Sequence, residues 1–156
     1  MTAAASVLHR AGRGARTWLQ ATRRLGPAQL SLGLRYAMSL PFPVESAREH
    51  LEATVQWLCA AQDAAGSGGV SAAFSLSSGW DVAYPETSGY IIATFLACED
   101  YLGGTALSAR ARRIGEWEIE IQAPNGGVLS RPGRPETRVF NTGQVVLGWL
   151  VLFERT

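Results

Sequence analysis

Cysteine and histidine are scarce: the 156-residue chain has only Cys59, Cys98, His9 and His50. No C-x-x-C or H-x-x-x-H spacing occurs among them, which removes the usual zinc frameworks. Two isolated thiols within helical patterns are expected to act as small buried hydrophobes in a reducing compartment. Long apolar runs are missing too. Residues 3–8 are apolar but His9 and Arg10 interrupt them, short of the ~7–15 apolar residues of a secretory signal. Residues 145–153 fall below the ~20 apolar residues of a membrane span. A cytoplasmic protein without metal or cofactor is the expectation.

Charge of one sign is also lacking, since the net charge is +1. Counterion release needs a concentrated basic face, so nucleic acid is not the expected partner. The charge is nevertheless uneven. Arg10, Arg13, Arg16, Arg23, Arg24 and Arg35 all precede the first acid, Glu45. This end reads as a solvated basic helix, with contact to an anionic membrane surface or an acidic polymer as the alternative.

An apolar share of 47% is enough for one core. Helical patterns cover residues 6–25 and then Leu30, Leu34, Ala37 and Met38, and Gly26-Pro27 separates the two by ending one helix and starting the next. Pro41-Phe42-Pro43 stops the second, because prolines remove donors and push their neighbours out of the helical region. A boundary is placed there, with a basic helical extension over 1–43 and a repeat array over 44–156.

Within the array, one pattern occurs twice. Trp57, Gln62, Gly68, Gly69 and Val70 are followed by Ser88-Gly89-Tyr90-Ile91-Ile92. Trp117, Gln122, Gly126, Gly127 and Val128 are followed by Thr142-Gly143-Gln144-Val145-Val146. Self-similarity of this length, with two helical segments per unit, marks helical hairpins that bury their apolar faces against one another. The first helix of each unit is amphipathic. Leu51, Val55, Leu58 and Gln62 line one, starting near Glu45; Leu107, Ala111, Ile114, Trp117 and Ile121 line the other, with Thr105 as its N-cap. The second helices, residues 88–102 and 142–153, are apolar almost all round, as expected of helices covered on every side. An outer and an inner layer follow, with short β-hairpin-like loops at one end (Val70, Ala72, Phe74, Leu76; Val128 and Ser130 facing Arg138 and Phe140). The fold class is all-α: repeated helical hairpins of an incomplete α/α toroid.

The Trp-Gln-Gly-Gly unit has a mechanical reading. Trp packs inward, Gln reaches carbonyls left over at the helix end, and the glycines permit the turn. The blocks WLCAAQDAAGSGGVSAAFSL, GWDVAYPETSGYIIATFL, WEIEIQAPNGGV and VFNTGQVVLGWL, spanning about residues 41–153, resemble bacterial exopolysaccharide-biosynthesis proteins of the α/α-toroid type. The aromatic-x4-Gln and Gly-Gly elements also resemble the repeats of squalene-cyclase, prenyltransferase and six-hairpin-glycosidase toroids, although Val70 and Val128 stand where the first two usually have an aromatic. This resemblance implies a pathway rather than a reaction. A closed toroid of that kind has more hairpins than the two seen here. Either the chain is a piece of a longer one, which is the favoured expectation, or another subunit covers its open edges.

Loops of stacked hairpins emerge at one end, and that brings distant residues to a common mouth, including Asp63 and Glu136. Asp81 and Glu86 are the candidate general acid and base on a glycosidic bond, with Tyr84 as a further candidate base. Trp80 supplies a flat face for a sugar, and Asn141, Gln144, Arg138 and Arg131 supply hydrogen bonds to hydroxyls or a uronate. Against these roles stand plain ones: helix capping for Glu86, Thr87 and Asn141, and solvation for Asp81 and the arginine loop. The expected function is carbohydrate-active, as a hydrolase, lyase or epimerase acting on a poly- or oligosaccharide. The alternatives are a noncatalytic glycan- or partner-binding scaffold and a terpenoid-cyclase-like enzyme, the last lacking an Asp-rich cluster.

Overall fold

The structure is a computed structural model and describes residues 26–41, 44–75, 78–104 and 106–155. The helix expected over residues 6–25, the N-cap expected at Thr105, the loop position Leu76 and the prolyl stop at Phe42-Pro43 lie outside the described residues. The order of elements is α1 (Pro27–Ala37), α2 (Ala47–Ala65), β1 (Phe74–Ser75), β2 (Gly79–Trp80), α3 (Pro85–Leu102), α4 (Ala106–Glu120) and α5 (Val139–Arg155). Helix dominates, and the two short strands pair only with each other. None of the described helices is long and apolar enough to cross a membrane.

Two compact units are present. One holds α1 and Phe74–Gly79, and the other holds Glu45–Ala73 with everything from Trp80 onward. In the first, Gly26 is the N-cap of α1 and Pro27 occupies its first turn, where a missing N–H costs nothing. Arg35 donates to the Pro41 carbonyl just beyond the helix.

The second unit contains the hairpins. Helix α2 starts at a capping box: Ser46 Oγ accepts from the Glu49 N–H at 3.2 Å, and Glu49 Oε2 accepts from the Ser46 N–H at 2.7 Å. The Ser46 hydroxyl also donates to Glu49 Oε2 at 2.7 Å, and this bond, then that from the Ser46 N–H, holds the Glu49 carboxyl below its usual range. Gly66 ends the helix at φ 67°, a left-handed conformation glycine enters without cost.

Helix α3 packs against both α4 and α5, and against α2 less extensively. The core gathers Ala61 of α2, Val70 of the turn, Ile91, Ile92, Phe95 and Leu96 of α3, and Ala111 and Ile114 of α4. Between α3 and α5 the backbones touch. A Cβ added at Gly89 would lie 2.9 Å from the Gln144 carbonyl, and one at Gly148 would lie 2.7 Å from the Gly89 oxygen. Glycine is required at both positions by this approach. At the far end of the same pair, Arg155 grips Asp100 with both guanidinium nitrogens.

Three expectations are corrected. Helices α3 and α5 begin at Pro85 and Val139, three residues ahead of Ser88 and Thr142. Those hydroxyl residues sit inside the first turn, where they bond to the preceding carbonyls instead of opening the helix. Neither second helix is covered on every side: Tyr90, Thr94, Ala97 and Tyr101 of α3 and Val146, Leu147, Leu150 and Phe153 of α5 are exposed. Trp57 does not pack inward. It is 51% exposed and lies tilted on Trp80, ring centroids 4.6 Å apart, whereas Trp117 is 5% exposed.

Candidate functional site

Both hairpins close their loops with the same bonds. Gln62 Nε2 donates to the Gly68 carbonyl and Gln122 Nε2 to the Gly126 carbonyl, each at 2.9 Å. Ser88 Oγ accepts from the Val70 N–H and Thr142 Oγ1 from the Val128 N–H, again each at 2.9 Å. The two hydroxyls donate onward to the Tyr84 and Arg138 carbonyls, while the Tyr84 and Arg138 N–H groups return to the Val70 and Val128 carbonyls. One hydroxyl per hairpin thus ties the Gly-Gly-Val turn to the start of the next helix, satisfying backbone groups that have no helical partner. Gln62 also reaches the Arg110 carbonyl at 3.1 Å and accepts from Arg110 Nη1.

Above these turns the loops form a rim. In the first loop, Ala72 donates to Val82 and Asp81 to Ala73, and Ser71 bridges to Ala83. In the second, Ser130 donates to Glu136, and Leu129 bridges to Thr137. The period-two pattern of the sequence corresponds to these short antiparallel pairings.

An ion pair between Asp81 of the first loop and Arg131 of the second joins the two. The Val82 N–H and then Arg131 hold the Asp81 carboxyl below its usual range, so it stays an acceptor and is a poor proton donor. Trp80 is half-buried immediately before Asp81 and rests on Trp57. Tyr84 occupies the N-cap position of α3 without a side-chain cap bond, and Glu86 lies half-buried in the first turn of that helix.

The remaining expected site residues divide. Asn141 is buried inside α5, not capping it, and its Nδ2 donates to the Leu129 and Ser130 carbonyls at 3.3 and 3.4 Å. It shapes the second loop from beneath. Gln144 lies where α5 meets Gly89. Arg138 is exposed beside a shallow concavity of about 470 Å³ that includes Gly126, Gly127, Thr137, Val139, Thr142 and Gly143. Asp63 is gripped by both terminal nitrogens of Arg110 at 2.8 and 3.0 Å, which holds its carboxyl low and fastens α2 to α4. The structure therefore brings Asp81 and Arg131 together, Trp80 precedes Asp81 in the chain with its ring on Trp57 and against the core, and Asn141 and Asp63 act as fasteners.

No family model, no curated protein and no solved structure matches this chain.

One ionisable group falls outside the rim residues expected from the sequence. Glu118 on α4 is fully buried and neither of its oxygens has a hydrogen-bond partner. Desolvation pushes its carboxyl up to about 9, so it is neutral at pH 7. Its register was the available signal, because it stands four residues after Ile114 and seven after Ala111 on the buried stripe. The thiol of Cys59 is likewise raised by burial. Among the described residues, no three His, Cys, Asp or Glu side chains gather as a metal site.

Proposed function

We propose that this chain is a glycan-binding module of bacterial exopolysaccharide biosynthesis, built as part of an α/α-toroid-type stack and working in the cytoplasm. The observation that carries this reading is the Asp81–Arg131 pair beside Trp80. An exposed carboxylate and guanidinium held together present acceptors and a two-pronged donor to sugar hydroxyls or a uronate, and the indole supplies a face for a pyranose ring. The same pair argues for binding over turnover. A carboxyl kept ionised by the Val82 N–H and Arg131 does not donate the proton that glycosidic cleavage requires.

Titration of neutral and uronate-bearing oligosaccharides from bacterial exopolysaccharide, followed by amide NMR, tests this directly. Trp80→Ala is expected to weaken binding about tenfold, equivalent to ~1.4 kcal/mol, and Arg131→Ala to weaken the uronate-bearing glycans selectively. Absence of shifts at rim residues up to millimolar sugar would sink the proposal. New reducing ends that vanish in the Asp81→Asn, Glu86→Gln double variant would replace it with the hydrolase reading.

A further inference from the structure

The face by which α3 receives α5 is repeated on α5, where it is open. Trp117 lies over the Gly68-Gly69 turn: a Cβ at Gly68 would come within 2.9 Å of the Trp117 Cβ, and one at Gly69 within 2.3 Å of its ring. In the second hairpin the equivalent turn is Gly126-Gly127. Space at Gly126 is open to 4 Å and the turn borders the shallow concavity, but a Cβ at Gly127 would lie 2.9 Å from the Thr137 side chain, so this glycine is already covered within the chain. Gly89 of α3 is pressed against α5, whereas Gly143, in the same register on α5, meets nothing within 4 Å.

The side chains follow the same rule. Three and seven residues beyond Gly89, Ile92 and Leu96 are buried; three, seven and ten beyond Gly143, Val146, Leu150 and Phe153 are exposed, the last two at 53% and 80%. The complementary face occurs on the first hairpin. On α3, Tyr90, Thr94 and Ala97 are exposed at the register that Gln144, Gly148 and Val151 hold in α5. Socket and plug are thus both present on one chain at opposite ends of the hairpin pair.

We infer that the open face of α5 docks a second copy of this chain through the Tyr90–Thr94–Ala97 face of that copy's α3. The internal packing of the two hairpins would continue from one molecule to the next. A plug meeting a socket on a different surface is a heterologous contact, so association grows beyond a dimer unless the rotation closes a ring. Thr94 stands where α5 has Gly148, so the backbones approach less closely than within the chain. The contact is correspondingly reversible.

Sedimentation equilibrium of the full chain tests the inference, with one variant blocking each face at an exposed position. Leu150→Glu removes the socket and Thr94→Arg the plug. The wild type is expected to gain mass beyond a dimer as concentration rises into the high micromolar range. Each variant alone is expected to remain monomeric, and an equimolar mixture of the two to form a 1:1 dimer that grows no further. That complementation also shows that both variants are folded. A wild type that stays monomeric, a variant that assembles like the wild type, or a mixture that fails to pair would each overturn the inference.

Discussion

A carboxyl group enclosed by apolar side chains with no donor in reach is held uncharged by the cost of losing water, and Glu118 is in that position. Its proton affinity in the folded chain corresponds to about 9, against 4.5 in a solvated chain. Because the folded value is the raised one, its contribution to stability is complete below the solvated value and is lost as pH rises towards the folded one. The loss is about 1.4 kcal/mol for each pH unit within that window. Glu118→Gln cannot titrate, so its melting temperature is expected to exceed that of the wild type at pH 8 and to vary less between pH 5 and pH 8 in thermal scans. Ser88 illustrates the opposite case of a buried polar group fully used. Ser88→Ala leaves the buried Val70 N–H without its acceptor and is expected to cost about 1–3 kcal/mol in urea unfolding. Ser88→Thr keeps the oxygen that the second hairpin uses at Thr142 and is expected to recover most of that loss.

Elements are set by their ends and by the glycines between them. Ser46→Ala removes one half of the capping box and is expected to lower stability by about 1 kcal/mol, measurable as a shift of the urea midpoint at unchanged slope. Gly89→Val places side-chain atoms where the α5 backbone lies and is expected to cost about 3 kcal/mol or more, with loss of near-ultraviolet dichroism from the buried aromatics. Gly143→Ala, in the same register with open space around it, is expected to be nearly silent in the monomer. Much of this was legible in the sequence. The Trp-Gln-Gly-Gly spacing marked the turns, and the apolar stripe through Ala111, Ile114 and Trp117 marked the buried face of α4. What the spacing could not convey was three-dimensional: that Trp117 lies over the Gly68-Gly69 turn while Trp57 rests on Trp80, and that Asn141 is turned under a loop. Ser46 escaped notice because a capping box is visible only when the helix start is placed at Ala47 instead of Glu45. Asp81 and Arg131 were each visible as rim residues, but fifty positions of separation hid their pairing.

On the scale of the whole second unit, α3 is the element surrounded most completely, since α2, α4 and α5 all pack against it. Stability is therefore graded along the chain. Hydrogen exchange is expected to be slowest at Ile91, Ile92, Phe95 and Leu96, and faster in α5, whose outer side is open to solvent. If α5 docks a second molecule, its exchange should slow with rising protein concentration while that of α3 changes little on its buried side. The sealed acid on α4 also reaches this scale. When the fold melts at neutral pH, Glu118 meets water and gives up about one proton to the buffer. The calorimetric heat of unfolding should then differ between phosphate and Tris by the difference in their heats of protonation, and the glutamine variant should erase that difference.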